Sequence, residues 1–243
     1  MEQPNKKLVV ITGASSGIGA EIARHFSQQG HPMLLLARRV ERLEAMNLPN
    51  TLCEQVDVTD KASFEAAIAK AEEQYGPADC LVNNAGTMLL GQLDTQDSTE
   101  WKKMFDVNVL GLLNGMQTVL APMKQRSSGT IINISSIAGK KTFPDHAAYC
   151  GTKFAVHAIS ENVREEVAAS NVRVTTIAPG AVETELLSHT TSDAIKQGYD
   201  AWKEDMGGVL AAEDIARAVL FAYQQPQSVC IREIALAPTQ QQP

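Results

Sequence analysis

The 243 residues carry 28 acidic against 21 basic side chains, a formal charge of -7 with a pI near 5.3. Hydrophobic residues make up 44% and charged residues 20%, a globular balance that excludes collagen, long disorder and coiled coil. The acidic balance also excludes a general nucleic-acid-binding role, which needs a basic face to displace counterions from phosphates.

A chain of this length holds one or two domains at about 150 residues each. As one domain it would bury about 70 to 75% of its unfolded surface, enough for a core without disulfides or metal. The chain opens with Pro4, Asn5, Lys6 and Lys7 ahead of a short apolar strand, not with the basic and long apolar regions of a secretory signal. Residues 8–12 read as that strand. It runs into Thr12-Gly13-Ala14-Ser15-Ser16-Gly17-Ile18-Gly19, and a helical period follows over 17–29. Glycines at such a turn let the backbone approach a pyrophosphate, whose charge is held by the free amides of the helix N-terminus. Gly13, Ser15, Ser16, Gly17, Ile18 and Gly19 are therefore candidate dinucleotide-binding residues; a tight turn with no ligand is the alternative. A P-loop would need Lys-Ser or Lys-Thr after the last glycine, where Ala20 and Glu21 stand. Gly13 to Gly17 also spell a G-x-S-x-G nucleophile elbow around Ser15. That arrangement needs a histidine after a late strand, whereas the last histidine, His189, lies in a polar stretch.

Residues 33–37 form a second strand, and this apolar run is far short of the roughly 20 residues that span a bilayer. It ends in Ala37-Arg38-Arg39, ahead of a short helix over 40–47. At this place an acidic residue would accept bonds from a free ribose 2'-hydroxyl, while an arginine pairs with a 2'-phosphate. Arg38 and Arg39 thus point to NADP and not NAD; two solvated helix-start arginines are the alternative.

Strands follow at 52–56, 80–83, 130–134, 172–178 and 229–236, separated by helices at 61–75, 98–124, 147–169 and 212–223. Apolar runs without alternation are what strands buried on both faces require. With no linker or repeat to divide the chain, the expected architecture is α/β, a single-domain doubly wound parallel sheet of Rossmann type, with about seven strands and helices on both faces. The polar stretch from Glu183 to Val209 interrupts the alternation just after a strand, where open α/β sheets place ligands. Residues 185–208 read as a mobile substrate lid or as a solvated excursion with a helix or two. Cys53, Cys80, Cys150 and Cys230 are isolated from one another and no histidines cluster, so reduced thiols, no metal site and a cytoplasmic location are expected.

Hydride transfer to a carbonyl leaves an alkoxide that needs a proton. Tyr149 is the candidate acid, with Lys153 four residues on and so on the same helical face. A free phenol has a pKa of about 10, and a nearby ammonium would favour the phenolate. Ser136, after the fifth strand, can polarise the carbonyl by donating a hydrogen bond. Tyr199 and Lys203 repeat the Tyr-Lys spacing. Offsets of 13 and 41 residues back from Tyr149 reach Ser136 and Asn108, whereas the same offsets from Tyr199 reach Leu186 and Ala158. The second pair is expected to be a solvated helical pair. Cys150 should point away from the site, and His146 reads as a loop histidine.

The TGASSGIG turn, NNAG at 83–86, the asparagine of DVNVLG, NISS, YCGTK and the APG that closes the sixth strand occur in this order. Together they make the chain resemble the short-chain dehydrogenase/reductase family over essentially its whole length. The resemblance implies that Asn108 supports a water-linked proton relay through Lys153, which also hydrogen-bonds the nicotinamide ribose. It implies that Asp57 and Val58 face the adenine, that Asn84, Ala85 and Gly86 line the cofactor, and that Pro179, Gly180, Val182 and Thr184 back the nicotinamide. It further implies a homotetramer or homodimer through the helices carrying Asn108 and Tyr149. The expected activity is an NADP-dependent oxidoreduction of a small carbonyl or alcohol substrate, with the ending Arg232 to Thr239 resembling the hydroxy-acid and diketone branch. A 3-oxoacyl-[acyl-carrier-protein] reductase is the alternative within the class, and a non-catalytic NADP-sensing protein the alternative outside it.

Overall fold

The computed structural model describes residues 6–241, so Pro4 and Asn5 lie outside the described residues. Seven parallel strands form one sheet: β1 (Leu8–Thr12), β2 (Met33–Ala37), β3 (Thr51–Gln55), β4 (Ala78–Asn83), β5 (Gly129–Ile134), β6 (Val172–Pro179) and β7 (Glu233–Leu236). Their order is β3-β2-β1-β4-β5-β6-β7. The chain thus winds outward from β1 in one direction and, from β4, in the other. A crevice opens outside the carboxyl ends of β1 and β4, where the direction reverses.

Helices α1 (Gly17–Gln28) and α8 (Ala212–Gln224) cover one face of the sheet; α3 (Lys61–Tyr75), α5 (Gly111–Gln125) and α6 (Ala147–Val167) cover the other. All five residues of β1 are buried. Leu8 and Val10 pack with Phe64, Leu81 and Met116 on the second face, while Val9 and Ile11 pack with Phe26, Val82 and Ile215 on the first. Pleating sends successive side chains to opposite faces, so an uninterrupted apolar run fills both cores. Asp60 caps α3, its carboxylate accepting from the amides of Ala62 and Ser63.

Three elements differ from the sequence expectation by more than two residues at an end or in continuity. The helix expected over 98–124 is α4 (Ser98–Phe105), a π-helical turn at Asp106–Leu110, and α5. The wider turn carries Asn108, whose side chain is buried and bonded to another loop, so long-range polar contacts override the regular period. The last strand begins only at Glu233, because Val229 and Cys230 are exposed at the sheet edge, beyond the regular ladder to β6. The short α2 spans Val40–Glu44, ending before Asn47, which adopts a positive φ.

The polar stretch holds a 3-10 turn at Glu185–His189 and α7 (Asp193–Asp205), which has no fully buried side chain. Leu186, Leu187, Ile195 and Tyr199 rest on a small core beside the sheet that includes Met88, Leu90 and Tyr149. Among the described residues no helix is long and apolar enough to cross a membrane.

Candidate active site

One cleft of about 720 Å³ lies over the carboxyl ends of the strands. It is floored by the β1–α1 turn. Gly13 and Gly17 both have positive φ, and a Cβ on Gly13 would sit 2.7 Å from the Cα of Ala85. Glycine is required there for conformation and for the close approach of the loop after β4. Asn84 fastens that loop: its amide Nδ2 donates to the carbonyls of Thr12 (3.0 Å) and Gly13 (3.2 Å). The Thr12 hydroxyl accepts from the amides of Asn84 and Ala85. Gly19, expected among the cofactor contacts, does not line the cleft. A Cβ there would meet the Gly13 carbonyl at 2.4 Å, so its role is to let α1 pack behind the turn.

Ser15, Ser16, Gly17 and Ile18 line the cleft, and so do Arg38 and Arg39 at the end of β2. The Arg39 guanidinium donates from Nη2 to the hydroxyls of Ser15 (3.4 Å) and Ser16 (3.3 Å) and to the Glu185 carboxylate (3.1 Å). Arg42, on α2, reaches the same carboxylate at 2.9 Å. These guanidiniums, Arg42 first, hold the Glu185 carboxyl below the usual carboxylate range. Arg39 thus bridges two serine hydroxyls and a carboxylate that Arg42 also holds, and the two arginines with the two hydroxyls are the kind of donor set that a phosphate monoester needs. Arg42 and Glu185 escaped the sequence reading. An arginine four residues beyond Arg38 on a short helix was a usable local signal; Glu185 gave none.

Asp57 and Val58 line the adjoining wall, the Asp57 carboxylate accepting from the amide and hydroxyl of Thr59. Ala85 and Gly86 continue it on one side, and Pro179, Gly180, Val182 and Thr184 on the other. The Gln241 carboxamide oxygen, near the chain's end, accepts from the amide of Ala181 and also reaches the cleft. No motif pointed to it.

At the deep end of the cleft α6 presents Tyr149 and Lys153, both buried. The lysine Nζ donates to the Ile134 carbonyl (3.0 Å) and lies 5.8 Å from the centre of the tyrosine ring. Burial pushes the Lys153 pKa down to about 8. Burial also pushes the Tyr149 phenol up, with Tyr199 adding to the rise and a hydrogen bond from Ser136 opposing it. The sequence expectation of a phenol lowered by the ammonium is therefore corrected. Among the protein's own groups, desolvation of the buried phenolate is the largest cause, ahead of Tyr199 and of the opposing Ser136 bond. Ser136 caps the 3-10 turn Ile137–Gly139, accepting from the Ala138 amide (3.1 Å), and its hydroxyl is 3.3 Å from the Pro179 carbonyl.

Asn108 does not line the cleft. Its Oδ1 accepts from the Thr87 amide (2.8 Å), and its Nδ2 donates to the Thr87 carbonyl (2.9 Å) and the Thr152 hydroxyl (3.1 Å). It ties the loop after β4 to the helix of Tyr149 from behind.

Tyr199 and Lys203 are not a solvated pair. The Tyr199 ring lines the cleft, with its centre 6.3 Å from that of His146 and 5.2 Å from that of Trp202, and burial raises its phenol. Lys203 pairs with Asp200 (2.9 Å) and Glu183 (3.6 Å). His146 is likewise part of the wall, its ring 6.2 Å from that of Tyr149. An excursion far along the chain folds back over α6, a placement that helical spacing alone does not encode. Cys150 is buried away from the cleft.

Residues 7–195 match the family model for short chain dehydrogenases. The chain belongs to this family. It is therefore an oxidoreductase acting on alcohol or carbonyl groups. An uncharacterized oxidoreductase of Staphylococcus saprophyticus is 40% identical, with 99% of each chain covered. The closed form of a serine dehydrogenase complexed with NADP+ superposes with a TM-score of 0.91 at 32% identity, covering 97% of this chain and 96% of that one. An alcohol dehydrogenase from the archaeon Thermococcus sibiricus, complexed with 5-hydroxy-NADP, is similar with a TM-score of 0.84 at 28% identity, covering 98% and 99%. The glycine cradle of this short chain dehydrogenase, opening onto an α-helix N-terminus, fits a dinucleotide pyrophosphate. Among its described residues no group of acidic, histidine and cysteine side chains could hold a metal ion.

Proposed function

We propose that the chain uses NADP(H) to interconvert a small alcohol and its ketone or aldehyde, with Tyr149 exchanging the proton. The observation that carries this reading is the meeting of Tyr149, Ser136 and Lys153 at the deep end of a cleft whose other end holds Arg39, Ser15 and Ser16. The nicotinamide, when bound, supplies the hydride. The Ser136 hydroxyl orients the carbonyl oxygen by hydrogen bonding, and the Tyr149 hydroxyl gives that oxygen its proton as charge develops there. A phenol kept protonated by burial suits the donor role. Lys153 pairs with the phenolate left behind and bonds the nicotinamide ribose, a role supported by its Nζ lying 5.8 Å from the centre of the Tyr149 ring. Asn108 acts as a positioning residue for the Thr87 loop and α6, with the relay through Lys153 running beside it.

The pyrophosphate is assigned to Gly13, Gly17, Ile18 and the α1 N-terminus, and the 2'-phosphate to Arg39, Arg42, Ser15 and Ser16, with Arg38 beside them. Asp57 and Val58 face the adenine. Asn84, Ala85 and Gly86 flank the ribose, and Pro179, Gly180, Val182 and Thr184 back the nicotinamide. A homotetramer or homodimer is supported by exposed Phe105 on α4, Leu110 on the π-helical turn, Leu113 on α5 and Phe154 on α6, an apolar surface that a second copy would cover.

The test of the reading is NADPH consumption over a panel of small aldehydes, ketones, diketones, hydroxy-acid precursors and β-ketoesters. Turnover of small carbonyls is expected. Tight NADPH binding with no turnover anywhere on the panel would favour a sensor instead.

The pH dependence follows from Lys153. A lysine held at about 8 loses its charge as pH rises through that value, well below an unperturbed lysine near 10.4. Carbonyl reduction, which needs the ammonium beside the developing phenolate, should therefore decline above pH 8. A profile of kcat/KM that stays flat to pH 10 would remove Lys153 from the relay.

The segment 185–208 is assigned as a lid. Its support is a helix with no fully buried side chain, resting on the cleft through Leu186, Ile195 and Tyr199. Amide hydrogen exchange there should be fast in the protein alone and slow markedly when cofactor and a substrate alcohol are both bound. Slow exchange throughout the segment before any ligand is added would count against a lid.

A further inference from the structure

His146 precedes α6 by one residue and leads by three the tyrosine assigned to proton transfer. Its Nδ1 lies 2.5 Å from the Pro144 carbonyl oxygen. A carbonyl only accepts, so Nδ1 carries the proton, and in the neutral ring Nε2 is left as a bare acceptor. Burial holds the His146 pKa below the ordinary histidine value, against the opposing pull of the Pro144 bond and Asp145. The neutral ring thus prevails near pH 7. No protein group partners Nε2 among the described residues, yet no buried side-chain nitrogen or oxygen there lacks a partner. Nε2 therefore keeps some exposure, on a ring that lines the cleft.

Around that acceptor the nearest rings are aromatic, and the neighbouring Asp145 carboxylate, which also lines the cleft, disfavours an anionic substrate. Phe143 and Tyr199 flank the histidine, with ring centres 5.6 Å and 6.3 Å away, and Trp202 follows Tyr199. Of the cations near this wall, Lys203 is paired with Asp200 and Glu183, and Lys141 lies over the Phe143 ring, 5.0 Å from its centre. A neutral acceptor beside a carboxylate disfavours a further acceptor or carboxylate and rewards a hydrogen-bond donor, because only a donor satisfies it once water is excluded.

We infer that His146 is a specificity-determining residue whose Nε2 accepts a hydrogen bond from a hydroxyl next to the reacting carbon, so that the preferred substrates are neutral α-hydroxy ketones or aldehydes and, in reverse, vicinal diols. This rests on the assignment of Tyr149 to the carbonyl oxygen. With the two rings centred 6.2 Å apart, a substrate oxygen on the tyrosine hydroxyl brings the neighbouring carbon's substituent toward the histidine.

The test compares hydroxyacetone with 2-butanone, which replaces the hydroxyl by a methyl group, as substrates of NADPH oxidation at pH 7.5. In the parent protein kcat/KM should favour hydroxyacetone. His146→Phe keeps a ring against Tyr199 but removes the acceptor, and should cut that preference by about tenfold, the worth of one hydrogen bond to a desolvated acceptor. His146→Gln retains an acceptor oxygen and should recover part of it. NADPH affinity within about threefold of the parent reports that the fold and the cofactor site survive. An unchanged preference in His146→Phe, or no preference in the parent, overturns the inference while leaving the oxidoreductase reading in place. An equal slowing of both ketones in His146→Phe with the effect absent from NADPH affinity overturns it too, by making the histidine a support for Tyr149. If the parent reduces neither ketone nor any carbonyl of the wider panel, the oxidoreductase reading falls and this inference with it.

Discussion

Tyr149→Phe should lose about a hundredfold to ten-thousandfold in single-turnover hydride transfer at saturating NADPH, with cofactor affinity largely retained. The variant keeps the ring, which is buried against Met88, Leu90 and Ala138, so the fold should be little disturbed. What goes is the one hydroxyl that the Ser136 side chain and Lys153 are arranged around. Tyr199→Phe is the matched control. Both tyrosines line the same cleft and both are followed by a lysine four residues on, yet Lys203 is neutralised by Asp200 and Glu183, and no serine caps a turn beside Tyr199. Its hydroxyl can touch substrate but has no partner for proton release. The expected effect is a change in KM with the chemical step within about threefold of the parent. A Tyr149→Phe rate within that margin, or a larger loss in Tyr199→Phe, would move the proton donor elsewhere.

The second large effect concerns the cofactor. NADP(H) should bind the parent protein more tightly than NAD(H), and Arg39→Ala combined with Arg42→Ala should weaken NADP(H) by about a hundredfold or more, since each charge-assisted bond to the phosphate contributes about 1.5 to 3 kcal/mol. NAD(H), which offers no phosphate to these groups, should change little. Arg38→Ala alone should do less, because the Arg38 side chain is exposed while Arg39 is already bound to the Ser15 and Ser16 hydroxyls. Adding Ala37→Asp at the end of β2, where the side chain lines the cleft, should reverse the order by repelling the phosphate and accepting bonds from a free 2'-hydroxyl. Calorimetry at moderate salt decides it. Equal affinities of the parent for the two cofactors would defeat the assignment.

Much of the fold was legible along the chain because its determinants are local. The strand at Leu8–Thr12 announces itself by an apolar run buried on both faces, and the turn that follows is written in glycines whose positive φ and close neighbours no other residue tolerates. The pairing of Tyr149 with Lys153 is a helical spacing, and Ser136 sits where a strand ends. What the chain could not reveal depends on residues brought together from afar. Glu185 meets Arg42 across 143 positions, and His189 meets Thr87 across 102. The π-helical turn at Asn108 exists because its side chain is claimed by Thr87 and Thr152, and no propensity within 98–124 encodes those partners. Tyr199 read as solvated because the spacing of α7 shows only which residues share a face, not what that face meets. Whether a side chain is buried, and so whether its pKa moves or its hydrogen bond discriminates, is set by the packing of distant elements, which sequence proximity does not specify.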